Sequence, residues 1–251
     1  SQCGDEGGRF GFCYENGELE KALKAIRKKG FEPVCLHLHC SSKTRSLNIY
    51  RAISKYACII AKEYSLNLQY IDVGGGFFGG LSDKPQFVDY FQLIANTLQN
   101  FFDLKKIKII VEPGMALIGS CVDYISKVID VKTKAFNRFV IIDGSRVHID
   151  PLMTKKTYNY QLYSKSNDNF SKQVVCGFTC MEHDRLMTLI NEKELKQDDI
   201  IVFERVGAYT MCLSPLFIKY FPNVFVESNG RMQLVREKWG VVEYCSKGEL
   251  V

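Results

Sequence analysis

The sequence predicts an α/β unit followed by a small all-β domain, with residues 1–118 in the first and 119–251 in the second. Three observations predict this. Apolar strand-like runs alternate with helix-spaced segments up to about residue 115, the order of a parallel α/β sheet. The strand-end residues His39, Gly74 and Glu112 lie 35 and 38 residues apart (74 − 39, 112 − 74), so each repeat unit is one strand plus one helix. Beyond Gly119 the texture turns to short β-type runs, several of them separated by turn residues.

Taken in order, Gly7 to Phe12 predicts a short strand end with a glycine-rich approach. Asn16 to Lys29 has helical spacing, with Leu19, Ala22, Leu23 and Ile26 on one face and Gly30 as the stop. Pro33 to His39 is the next strand, and a long helix runs from about Ser46 to Tyr64. A strand then leads from Leu68 to Asp72 and into Gly74-Gly75-Gly76-Phe77. A helix from about Gln86 to Phe102 and a strand Ile107–Glu112, ended by Pro113-Gly114, complete the first half.

Residues able to carry chemistry collect at the strand C-termini, as in a (β/α)8 barrel. A whole barrel takes about 250 residues, so about 115 residues hold three or four units. Half a barrel leaves open strand edges. Either the fold is not a barrel or the remaining units come from elsewhere.

In the second half, β runs are expected at Cys121–Val131, Arg138–Ile142, Gln173–Cys176, Ile200–Glu204, Asn223–Val226, Met232–Val235 and Val241–Tyr244. Asp143-Gly144, Gln197-Asp198-Asp199 and Asn229-Gly230 supply turns, and Tyr158 to Lys172 reads as a polar loop.

Composition narrows the function classes. An apolar share of 46% and a charged share of 24% are those of a soluble globular protein. The net charge of +5 is scattered, and its densest cluster is Arg27-Lys28-Lys29, so no nucleic-acid or membrane surface is expected. No cleavable leader opens the chain, and no apolar segment reaches membrane-spanning length. The 10 cysteines show no C-x-x-C spacing, and most sit in apolar runs. Reduced, buried thiols in a cytoplasmic protein are expected, with no disulfide framework and no metal site. The start at Ser1-Gln-Cys-Gly lacks a Met and reads like the middle of a longer chain.

The glycine triplet removes every side chain from a strand tip, so backbone N–H groups there can approach a phosphate. Gly74-x-Gly76-x-x-Gly79 also has dinucleotide-binding spacing. That fingerprint needs a helix opening on the glycines and an acid about 20 residues on. Here Leu81-Ser-Asp-Lys-Pro85 intervenes, and Glu112 comes 36 residues after Gly76 (112 − 76). A structural glycine turn is the third reading. Taken singly, His39 could be a core histidine, Glu112 a turn residue, Cys180 a buried thiol, and Gly207-Ala208-Tyr209 a strand bulge.

Together, and in this order, these residues resemble the ornithine and diaminopimelate decarboxylases, the fold type III PLP-dependent decarboxylases. Arg9-Phe10-Gly11 is similar to that family's [K/R]-F-G. Leu36-His37-Leu38-His39-Cys40-Ser41-Ser42 is similar to L-H-x-H-x-G-S, with Ser41 for Gly. Asp72-Val-Gly-Gly-Gly-Phe77 matches D-[IV]-G-G-G-F, and Glu112-Pro-Gly-Met115 is similar to E-P-G-R except at Met115. Cys180-Met-Glu-His-Asp184 resembles the C-x-x-x-D box, and Gly207-Ala-Tyr-Thr210 matches G-A-Y-T. The resemblance covers nearly the whole chain but only the C-terminal portion of a family member.

It implies the C-terminal half of an alanine-racemase-like (β/α)8 barrel followed by a β-barrel-like domain. It also implies pyridoxal 5′-phosphate (PLP) as cofactor, a cytoplasmic homodimer with shared active sites, and decarboxylation of a basic or dicarboxylic amino acid. His39 would stack on the pyridine ring, and Glu112 would face the ring nitrogen and keep it protonated. Ser42, the amides of Gly74, Gly75 and Gly76, and Tyr209 would hold the 5′-phosphate. Cys180 would return a proton to the carbon that loses CO2, reaching across a two-fold interface into the partner's site. Asp143, Glu182 and Asp184 would shape the substrate end.

Three departures stand against this. The family's Schiff-base lysine, in a Y-x-x-K-A-N-type motif, is not in the sequence. Met115 replaces the phosphate-binding Arg, and a thioether neither donates to nor neutralises a phosphate. Met181 follows Cys180 where diamine-specific members often place an acid, a task that Glu182 could take. An inactive regulatory or structural homologue is therefore the alternative. A racemase of the same barrel class is disfavoured by the C-x-x-x-D box.

Overall fold

The computed structural model describes residues 8–40, 44–134 and 136–248. The chain divides into two compact units, Ser1–Cys121 and Val122–Val251.

The first unit runs α1 (Glu18–Lys28), β1 (Cys35–His37), α2 (Leu47–Glu63), β2 (Tyr70–Asp72), α3 (Phe87–Leu98), β3 (Lys108–Ile110) and α4 (Met115–Ile118). Its strands pair in parallel in the order β1-β2-β3, with a helix in each crossover, as parallel pairing requires. His37 stands in register with Asp72, and Asp72 with Ile110. Gly30, at φ +80, ends the chain's first helical segment.

One face of the sheet is covered by α2 and α3. Tyr50, Ile53, Ala57, Ile94 and Leu98 pack there on Ile71, Val73 and Ile107. Strand alternation sends Cys35, His37, Tyr70, Asp72, Lys108 and Ile110 to the other face. Each strand is three residues long, shorter than its apolar run, because the flanking apolar residues continue into loops. The expected strand end before α1 does not form over residues 8–12. Phe10 and Phe12 are exposed there, and no neighbouring strand among the described residues pairs with that backbone.

The second unit contains β4 (Tyr124–Lys134), β5 (Asn137–Ile142), α5 (Arg146–Ile149), β6 (Asn159–Tyr163), β7 (Asn169–Cys176), β8 (Arg185–Lys193) and β9 (Ile200–Glu204). A ribbon of β10 (Val224–Ser228) and β11 (Arg231–Arg236) follows, and then α6 (Val241–Tyr244). The six-stranded sheet has the order β6-β9-β4-β5-β7-β8, and only β5 and β7 pair in parallel. Its core is built on Val128, Val140, Ile142, Val175, Leu189, Ile201 and Phe203. The β10–β11 turn is Asn229-Gly230, both at positive φ, the backbone that tightly turned hairpins favour.

Three expectations are corrected in this unit. The predicted loop from Tyr158 to Lys172 contains β6 and the start of β7. In β6, Tyr160 and Leu162 pack on the core while Asn159, Gln161 and Tyr163 face out, an alternation masked by the polar residues. Arg185–Lys193 is a strand that its charged flanks concealed. Val241–Tyr244 is a helical turn rather than a strand. Glu243 accepts from the Gly240 N–H at 2.6 Å, and this cap prevails over the β preference of two valines. No helix among the described residues is long and apolar enough to cross a membrane.

Candidate active site

In the first unit the parallel register brings three sequence-distant residues to one edge. His39, Gly74 and Glu112 each lie two residues past a strand end (39 − 37, 74 − 72, 112 − 110). Backbone bonds carry the pairing beyond the strands. Leu38 N–H donates to Asp72 O at 2.8 Å, Val73 N–H to Ile110 O at 3.1 Å, and Glu112 N–H to Gly74 O at 2.9 Å. The N–H of Gly75 donates to His39 Nδ1 at 3.2 Å, so that nitrogen is the acceptor and the ring proton sits on Nε2.

Glycine is required here by space as well as by φ. Gly74 is at φ +70, and a Cβ on it would lie 2.6 Å from His39 Nδ1. A Cβ on Gly75 would lie 2.3 Å from the carbonyl oxygen of Glu112. Buried tyrosines hold the loop from below. Tyr50 donates its hydroxyl to Gly75 O at 2.7 Å, and its ring stacks on Phe77 with centroids 4.6 Å apart. Tyr90 donates to Arg45 O at 2.6 Å and accepts from Phe78 N–H at 3.4 Å. Burial raises both phenols, so they stay protonated donors.

The expected phosphate cradle is only partly available. Gly74 N–H is taken by Asp72 Oδ1 at 2.9 Å, and Gly75 N–H by His39. Ser42 lies outside the described residues. Met115 opens α4, with its carbonyl accepting from Gly119 N–H at 2.8 Å.

Two residues enter that the sequence argument did not assign to the site. His37 Nε2 is 3.4 Å from Glu112 Oε2, and the polar tips of His37, buried Asp72 and Glu112 all lie within 4.8 Å of one another. The signal for His37 was its two-residue spacing from His39 within the run expected to form one strand.

In the second unit, Cys180 is exposed in the turn between β7 and β8. Asp184 anchors that turn. Its carboxylate accepts from Thr179 Oγ1 at 2.6 Å, Thr179 N–H at 3.2 Å, Ser145 Oγ at 2.9 Å and Arg146 N–H at 2.8 Å. At 2% exposure, Asp184 is engaged by its own fold. A Cβ on Gly177 would collide with it at 2.2 Å. Phe178, in the same turn, packs beside His148 with centroids 5.7 Å apart and receives Lys219 Nζ at 4.1 Å.

Glu182 is exposed and paired with Arg185 at 3.0 Å. Asp143 Oδ1 accepts from Ser126 Oγ at 2.7 Å and Lys127 N–H at 2.8 Å. Tyr209 is 47% exposed at φ 62 in a turn that also holds Met211 at φ 57. By contrast, burial raises the thiol of Cys176 to about 11, which leaves it inert.

Residues 1–119 match the family model for the pyridoxal-dependent decarboxylase, pyridoxal binding domain. The chain is 29% identical over 202 residues to a diaminopimelate decarboxylase of Helicobacter pylori, covering 78% of this chain and 49% of that protein. It is 24% identical over 260 residues to the ornithine decarboxylase of Mus musculus, covering 91% and 54%. The chain thus spans about half the length of the curated relatives it matches. A crystal structure of the Helicobacter pylori diaminopimelate decarboxylase complexed with L-lysine superposes with TM-score 0.74 at 25% identity, covering 90% of this chain and 58% of that one. The diaminopimelate decarboxylase of M. jannaschii gives 0.79 at 21% identity, covering 97% and 58%.

The cofactor of this domain is PLP, and the edge described above fits it. The glycine backbone is bare where a Cβ would fill the space, an imidazole stands beside it, and a carboxylate lies on the next strand. Met115 does not fit, and the Gly74 and Gly75 amides are engaged within the loop rather than free for a phosphate. By its ordered motifs, its pyridoxal-binding segment and its structural neighbours, this chain is similar to the C-terminal portion of the fold type III PLP-dependent decarboxylases.

Proposed function

We propose that this chain is part of a PLP-dependent decarboxylase acting on a basic or dicarboxylic amino acid of the ornithine, lysine or diaminopimelate kind. The observation that supports it most is the meeting of His39, Gly75 and Glu112 at the C-terminal edge of three parallel strands. In this reading the first unit is the C-terminal half of a (β/α)8 barrel, and the bare face of its sheet looks into that barrel.

PLP, when bound, supplies the electron sink for loss of CO2. The residues do the rest. Glu112 presents a carboxylate to the ring nitrogen and favours its protonated form. His39 offers a ring face, its orientation held by the Gly75 N–H. Ser42, Gly76 and Tyr209 serve the phosphate, with the Gly74 and Gly75 amides shaping the loop around it. Cys180 holds the proton that returns to the substrate carbon. By resemblance it does so in a partner subunit's site within a homodimer. By resemblance, Asp143 and Glu182 serve the substrate end, whereas Asp184 acts by holding the Cys180 turn.

Met115 favours one second reading, an inactive homologue with weakened cofactor binding. The native polypeptide, supplied with PLP and then with ornithine, lysine, arginine or diaminopimelate, decides between them. Release of CO2 from one of these is expected. PLP binding without CO2 from any supports the inactive homologue, and failure to bind PLP rejects both.

A further inference from the structure

We propose that His37 is a positioning residue for Glu112, holding its carboxylate toward the cofactor ring beside buried Asp72. This rests on the functional reading above and adds to it a residue which that reading does not use. The geometry carries the inference. His37 ends β1, in register with Asp72 at the end of β2. Its Nε2 is 3.4 Å from Glu112 Oε2. Asp72 is buried, and one of its oxygens already accepts the Gly74 N–H at 2.9 Å, so it cannot swing away without freeing the glycine loop.

Two carboxylates whose oxygens come this close repel each other unless a donor stands with them. Imidazole suits the place. The ring is rigid and stands at a strand end, so little side-chain entropy is lost in keeping it beside Glu112. A Glu112 carboxylate freed of His37 could rotate about its own side-chain torsions toward solvent, since its side chain is half exposed.

The consequence concerns the ring nitrogen alone. His37 acts through Glu112, and Glu112 acts on that nitrogen, so losing His37 should matter only for ligands that have it. The probes are PLP and its analogue in which C–H replaces the ring nitrogen, both titrated by absorbance into the native polypeptide. For His37→Ala, affinity for PLP is expected to fall about three- to five-fold, the size of a half-exposed polar side-chain contact. Affinity for the analogue should stay unchanged. His37→Gln, which keeps a donor at similar reach, should recover most of the loss and guards against a folding defect.

Equal losses for both ligands would overturn the proposal, because they would mean a general disturbance of the strand edge. So would undiminished PLP affinity in His37→Ala. If the parent protein itself binds no PLP, the functional reading fails and this role fails with it. The parent titration therefore separates the two failures.

Discussion

The N–H of Gly75 donates to Nδ1 of His39 across 3.2 Å, while the carbonyl oxygen of Glu112 stands where a Cβ on Gly75 would be. Residue 75 thus locks the loop of the second strand between those of the first and third. A Cβ at 2.3 Å from a backbone oxygen cannot be relieved by turning a side chain. Gly75→Ala is expected to lower PLP affinity by roughly a hundred-fold, about 2.7 kcal/mol, in a fluorescence titration. Wild-type affinity in that variant would show that the loop does not frame the cofactor.

Met115 gives the opposite kind of test, a gain. It stands where the resembled family has a phosphate-binding arginine. Met115→Arg is expected to tighten PLP about ten-fold and to make binding more sensitive to salt, as an added charged contact to a phosphate should. Titrations at low and high ionic strength check this. A loss of affinity would mean that another cation already fills the position.

Asp184 should act through stability and loop geometry. Its removal would orphan four buried or half-buried donors around the Cys180 turn. Asp184→Ala is expected to cost on the order of 3 kcal/mol of stability. It should also make Cys180 react faster with a thiol reagent as its turn loosens. Asp184→Asn, which keeps acceptors on part of the network, should fall between. An unchanged urea midpoint in the alanine variant would contradict this role.

His148 sets a pH window. Burial, and then the nearby Lys219, push its imidazole from an ordinary value near 6.5 down to about 4, with Asp184 and Asp143 opposing weakly. The folded state therefore keeps it neutral where the unfolded chain takes up a proton. Its contribution is fully present above pH 6.5 and is lost as pH falls toward 4, at most about 3 kcal/mol. Urea midpoints measured across that range should fall more steeply for the parent than for His148→Gln. Parallel slopes would place the acid sensitivity elsewhere.

The long α2 and the strand–glycine loop around Asp72 were readable because apolar spacing and a glycine triplet are local properties. The same holds for the Asn229-Gly230 hairpin. β6 and α6 were misread because the deciding interactions lie outside their own periodicity. β6 is a strand because β9 offers it a ladder. α6 is a helical turn because Glu243 caps Gly240.

By itself, the sequence determined the order of α/β and β units and the ordered motifs at His39, Gly74 to Gly76, Glu112 and Cys180 that carry the family resemblance. Those follow from residue types and spacing along one chain. Only the tertiary structure decided that His37 and Asp72 join Glu112, that two of the three loop amides are already engaged, and that Asp184 belongs to its own turn. Those facts depend on parallel register and burial. Both are set by which strand lies beside which, and that is not a property of any single segment.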